Sequence, residues 1–73
     1  MNAKKLFSLL LSDRKESYDT LAPRLNMNSQ SLRNKVSRNN YGLNDFIDMM
    51  ELFNCDVIVK KRDTNETFIV NKE

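Results

Sequence analysis

From Thr20 to Asn44 the chain has no acidic residue, yet it carries Arg24, Arg33, Lys35 and Arg38. The same stretch holds Asn26, Asn28, Gln30, Asn34, Asn39, Asn40 and Asn44, with Ser29, Ser31 and Ser37 among them. The whole chain is only +2, with 12 Lys and Arg against 10 Asp and Glu, so outside this stretch eight cations meet ten anions. Cations of one sign beside amides and hydroxyls suit a nucleic-acid face. The cations neutralise phosphates and release counterions, while Asn, Gln and Ser reach base edges and phosphate oxygens. A run of like charge is also what an ordinary solvated surface carries, so the spacing inside the stretch has to decide.

Other chemistries lack parts. With no His and Cys55 as the single cysteine, neither an internal disulfide nor a zinc site can be assembled. There is no glycine-rich phosphate loop and no acidic cluster suited to general acid–base work, so an enzyme is not expected and no cofactor or small-molecule ligand is implied. Cys55 reads as a small buried hydrophobe. Leu6–Leu11 is too short to span a bilayer, no signal peptide is evident, and the cytoplasm is the expected location. At 73 residues the chain is expected to be one small domain, or part of a larger assembly. Such a domain buries only about 60% of its unfolded surface, and helix packing or a dimer is expected to compensate.

The elements that must position these side chains are short. Ala3 to about Ser12 reads as a helix with Leu6, Phe7, Leu10 and Leu11 inward, followed by a polar break at Asp13–Glu16. Tyr18, Leu21, Ala22 and Leu25 then follow the i, i+3, i+4, i+7 spacing of an amphipathic helix, capped by Ser17 or Asp19. Pro23 belongs in a first turn, where N–H groups lack intrahelical partners. It predicts either a late start at Asp19 or Thr20 or a locally distorted helix. Asn26 is a helix-ending residue that tolerates a left-handed backbone. Asn28 is a good N-cap for a third helix over Ser29–Ser37, whose inward stripe is only Leu32 and Val36. After a loop at Ser37–Gly42, a fourth helix runs from Leu43 or Asn44 to Phe53, with Leu43, Phe46, Ile47, Met50 and Phe53 on one face. Asp45 and Asp48 favour its positive N-terminal end, and Asn54 ends it. The period then becomes strand-like: Val57–Lys61 and Thr67–Val70 flank Asp63-Thr64-Asn65-Glu66 as a β-hairpin. The fold class is therefore mainly α, four short helices with a C-terminal hairpin. Residues 1–55 form the helical domain, and residues 56–73 are a hairpin extension of the same folding unit.

The run from Tyr18 to Leu32 has the spacing of a helix-turn-helix: Leu21, Ala22 and Leu25 inward, Asn26 at the turn, Met27 as its apolar plug and Leu32 anchoring the second helix. It resembles the helix-turn-helix domains of phage Cro and lambda-type repressors, the broad XRE-like group. Leu43 through Asn54 looks like that group's following core helix, and the resemblance covers about residues 3–55. Pro23 in the first motif helix and Asn26 in place of the usual Gly depart from the pattern, and the hairpin replaces an additional helix found in many members. The resemblance implies that Ser29–Ser37 lies in the major groove of double-stranded DNA, with Ser29, Gln30, Arg33 and Asn34 at base edges. Gln30 or Asn34 would pair with adenine and Arg33 with guanine or a phosphate. Backbone contacts would come from Ser17, Tyr18, Asn28, Lys35, Ser37, Arg38, Asn39, Asn40 and Tyr41. Each has a plainer reading. Tyr18 falls on an apolar stripe, Lys35 can simply be solvated, Arg24 can pair with Asp19 or Glu16, and Asn39-Asn40 can serve the loop alone.

Apolar residues alternate onto both hairpin faces, Val57, Val59, Phe68 and Val70 on one and Ile58 and Ile69 on the other. An isolated hairpin is marginal, so residues 57–70 are expected to join two copies as a homodimer. Lys60-Lys61-Arg62 near the tip would touch flanking DNA or merely protect an edge. The expected function is a small DNA-binding transcriptional regulator of the phage, prophage or plasmid kind. The alternative is a protein-binding module that docks a partner on the hairpin edge or helical surface.

Overall fold

A computed structural model describes residues 1–72. Its elements, in chain order, are α1 (Ala3–Asp13), α2 (Tyr18–Leu21), which tightens into a 3-10 turn over Ala22–Leu25, α3 (Ser29–Ser37), α4 (Leu43–Leu52), β1 (Ile58–Lys60) and β2 (Thr67–Ile69). The architecture is mainly helical with a C-terminal antiparallel hairpin, as the periodicity indicated. Packing groups these elements into two compact units, Met1–Tyr41 and the segment from Gly42 onward.

In the first unit, Phe7, Leu11, Leu21, Ala22, Leu32 and Val36 are buried, each no more than 6% exposed. Burying a Phe or Leu contributes about 1.5–3 kcal/mol, so this small set carries the unit. Ala22 is fully buried at the junction of α2 and the 3-10 turn, a segment that packs on α3. A larger side chain there would overpack the crossing by about 1–3 kcal/mol. Leu6 and Leu10 are half-buried at the margins.

Each helix start has a local cause. Asn2 caps α1 by accepting from the Lys5 amide at 2.9 Å. Ser17 and Thr20 form a reciprocal capping box at α2. Asn28 caps α3, its Oδ1 accepting from the Ser31 amide at 2.7 Å. Gly42 precedes α4 without a side-chain cap. Pro23 resolves as local distortion: the α-helix gives way to the tighter 3-10 turn where the proline ring enters.

The helix ends share one device. After α1, the 3-10 turn, α3 and α4, a single residue turns left-handed: Lys15, Asn26, Asn39 and Asn54, with φ of 54°, 58°, 52° and 58°. Each donates its amide three residues back and the next residue donates five back, as in Asn26 to Pro23 and Met27 to Ala22, both 3.1 Å. This is the Schellman closure, which satisfies carbonyls that a helix end leaves open. Asn65, with φ of 61°, makes the same excursion in the hairpin loop.

In the second unit, Ile47, Met49, Met50 and Phe53 of α4 and its C-terminal end are buried. Two expectations need correction. Leu43 lies at the right angle for the buried stripe but is 56% exposed, because it is the first helical residue, a turn ahead of Ile47. Cys55 is half-buried rather than buried, its thiol directed at the Phe53 carbonyl. The strands are three residues each, with Ile58 opposite Ile69, Val59 opposite Phe68 and Lys60 opposite Thr67. Flanking bonds from Val70 to Val57 and from Lys61 to Glu66, each 2.8 Å, extend the pairing to nearly the expected span. Lys72 donates to Asp48 at 2.6 Å, which favours the charged ammonium and ties the segment after β2 to α4.

Asn26 tests the left-handed device. Asn26→Ala should lower stability by about 1 kcal/mol, since a left-handed Cβ is strained, whereas Asn26→Gly should equal or slightly exceed the parent. Urea denaturation followed by circular dichroism reads both, and equal midpoints for the two variants would refute the assignment.

Candidate nucleic-acid interface

α3 organises the candidate site. At about 100° per residue, Leu32 and Val36 turn inward, and Asn34 lies roughly opposite them at the centre of the exposed face. Gln30, one turn earlier, donates from Nε2 to Asn34 Oδ1 at 3.1 Å. The bond engages the Gln30 amino group and the Asn34 oxygen, so the Asn34 amino group and the Gln30 carbonyl oxygen are the atoms left for a ligand. Together these offer a donor beside an acceptor, the pair that an adenine edge takes in the major groove. Ser29 lies on the inward side of the first turn and is half-buried.

The cations separate onto the two flanks of this amide line. On one flank a groove of about 310 Å³ is lined by Met27, Ser31, Asn34, Lys35, Arg38 and Asn40. On the other, a groove of about 250 Å³ is lined by Lys4, Tyr18, Arg33, Asn34 and Ser37. Arg33 leans toward this second flank. Its guanidinium stands 5.6 Å from the Tyr18 ring centroid, a cation–π distance, and 3.8 Å from Asp19. Burial pushes the Tyr18 phenol above its ordinary pKa, with Arg33 opposing, so the hydroxyl remains a donor at neutral pH. The folded phenol holds its proton more tightly than the unfolded one. Its contribution to stability is therefore complete at neutral pH and is lost as pH rises through the folded value.

Several sequence candidates are engaged in holding the backbone. Ser17 and Asn28 are N-caps, and Asn39 is the left-handed closure of α3, its side chain also accepting from the Tyr41 hydroxyl at 3.3 Å. The Tyr41 ring packs edge-on to Phe7 at 6.5 Å, so its aromatic face belongs to the core of the first unit. Arg24 pairs with Glu16 at 2.9 Å, one of its two expected partners, and leaves the cationic set of α3. Gln30, Arg33, Asn34, Lys35, Ser37, Arg38 and Asn40 come together around α3. Lys4 joins them unforeseen. Lys4, Phe7 and Leu11 run i, i+3, i+7, which puts the cation at the exposed end of the buried stripe of α1, but the spacing does not say which groove that end reaches. Among the described residues no three His, Cys, Asp or Glu side chains gather as a metal site, and no helix is long and apolar enough to cross a membrane.

Asn28 separates capping from ligand contact. Asn28→Ala should cost about 1 kcal/mol of stability and Asn28→Ser should cost little, measured by thermal unfolding. Equal stability of all three proteins would remove the capping role. No protein-family model, curated protein or solved structure matches the chain, so the functional reading rests on this geometry.

Proposed function

We propose that this protein binds double-stranded DNA in a sequence-dependent way, with α3 entering the major groove. One observation carries the reading: the coupled Gln30–Asn34 amides occupy the centre of an acid-free helix face with cation-lined grooves on both sides. A major groove about 12 Å wide admits a helix, presents base edges to its centre and brings phosphates to its flanks. The helix-turn-helix resemblance of Tyr18–Leu32 supports the same placement, with α2 and its 3-10 turn across the backbone and Met27 at the turn. On this reading Gln30 and Asn34 read bases, while Lys35, Ser37, Arg38 and Asn40 meet phosphates. The biological role is that of a small transcriptional regulator of the phage, prophage or plasmid kind.

The hairpin supplies the assembly. Ile58, Val59, Phe68 and Ile69 are 49–58% exposed, and their register places apolar groups on both faces. Two copies joined through residues 57–70 would cover these faces and present two α3 helices to half-sites about one helical turn apart. The same exposed hairpin favours a second reading, a module that takes up another protein along a strand edge.

Selection of duplexes from a random library by the purified protein should enrich one short motif, with a two-fold repeat if the dimer forms. Asn34→Ala and Gln30→Ala should each relax the motif at one position, a loss of about 1–3 kcal/mol in discrimination. A dimer meeting three or four phosphates per subunit should lose roughly a thousandfold in affinity between low and moderate salt. No enriched duplex would turn the choice to the protein-docking module. Sedimentation showing a monomer at high micromolar concentration would remove the hairpin dimer alone.

A further inference from the structure

We propose that the groove between α1, α2 and α3 is a seat for one DNA backbone phosphate, held by Lys4 and Arg33 with Tyr18 and Ser37, and that Arg33 is a phosphate ligand rather than a base reader. The proposal rests on the DNA-binding reading and deepens it.

Two cations on different elements line this groove, Lys4 from the first turn of α1 and Arg33 from the middle of α3. Like charges brought to one groove repel, and the arrangement is relieved when an anion bridges them. Tyr18 and Ser37 line the same groove, and each carries a hydroxyl that can serve as a neutral donor. At about 250 Å³ the groove has room for a phosphodiester group and several waters, each of which occupies about 30 Å³ in the liquid.

The placement of Arg33 decides its role. Stacking on Tyr18 and the approach to Asp19 draw the guanidinium toward α2 and into the groove that Lys4 shares, on the side of Asn34 opposite Lys35 and Arg38. Asp19 does not fill the site itself: its side chain is 70% exposed and the 3.8 Å separation is at the limit of an ion pair. Exposed pairs of this kind are weak and screened by salt, so a phosphate can replace the carboxylate. Lys4 is in no ion pair among the described residues. With the Lys35–Arg38 groove on the opposite flank, α3 would lie between one phosphate seat for each strand bordering the major groove.

The test is the salt dependence of binding to a random-sequence 20-base-pair duplex pool, where affinity comes from phosphates alone, paired with duplex selection for base preference. Lys4→Gln and Arg33→Gln should each reduce the slope of log K against log salt by about 0.9, with the selected motif unchanged. Tyr18→Phe keeps the ring beneath Arg33 and removes only the hydroxyl, and it should weaken binding up to about tenfold. Arg38→Gln, on the other flank, is the reference variant. If Arg38→Gln lowers the slope and Lys4→Gln does not, the seat is overturned and DNA binding stands. If Arg33→Gln erases a guanine from the motif, Arg33 reads bases and the proposal fails. If the parent binds neither the pool nor any selected duplex, the DNA reading fails and the seat with it.

Discussion

The structure depends on single residues held in the left-handed backbone region. The chain has one glycine, Gly42, and it lies in extended backbone with φ of −87°. Every helix must nonetheless be closed sharply, because the connections are only a few residues long. Asn26, Asn39, Asn54 and Asn65 take that conformation, joined by Lys15. A left-handed non-glycine residue costs about 1–2 kcal/mol in general, and Asn less because its short amide can bond locally. The Schellman bonds offset that cost by satisfying carbonyls that would otherwise face water or the core. Without the closure at Asn26, the turn from Leu25 into α3 would not form, and the exposed face of α3 would not be set.

That constraint changes the meaning of the acid-free stretch. Its seven amide side chains looked like one hydrogen-bonding surface. Three belong to helix ends: Asn26 and Asn39 close helical segments and Asn28 opens one. The amides aligned on the outer face of α3 are Gln30 and Asn34, and they are bonded to each other. A smaller set with fixed orientation is better suited to discrimination than many mobile amides, since less side-chain freedom remains to be lost on binding. Arg24, paired with Glu16, likewise withdraws from the four cations, and the others divide between two grooves. On the proposed DNA-binding reading, charge on the flanks and amides at the centre would separate affinity from selectivity on one short helix.

Much of this was legible in the chain. Helix existence followed from the 3.6-residue spacing of Phe7, Leu11, Leu21, Leu32 and Val36, and all five are buried. Capping followed from residue type, as at Ser17 and Asn28. The hairpin followed from the change of period, and its facing pairs match the alternation. Misplacements arose where helical angle was used without end effects. Leu43 has the angle of a core residue and is exposed because it opens α4, while Met49 lies off the assumed stripe and is buried. Lys4, a charged residue on the apolar stripe, reads as surface when α1 is considered by itself.

By itself the sequence determined the mainly helical class, the polar character of α3 and the surplus of positive charge around it. These are local properties, governed by residue type and by spacing along a single helix. The tertiary structure decided which cations share a groove, that Arg33 rests on Tyr18, and that Lys4 of α1 reaches the flank of α3. Those facts require the crossing of helices far apart in the chain. The packing of the buried side chains sets that crossing, and no one-dimensional periodicity encodes its angle.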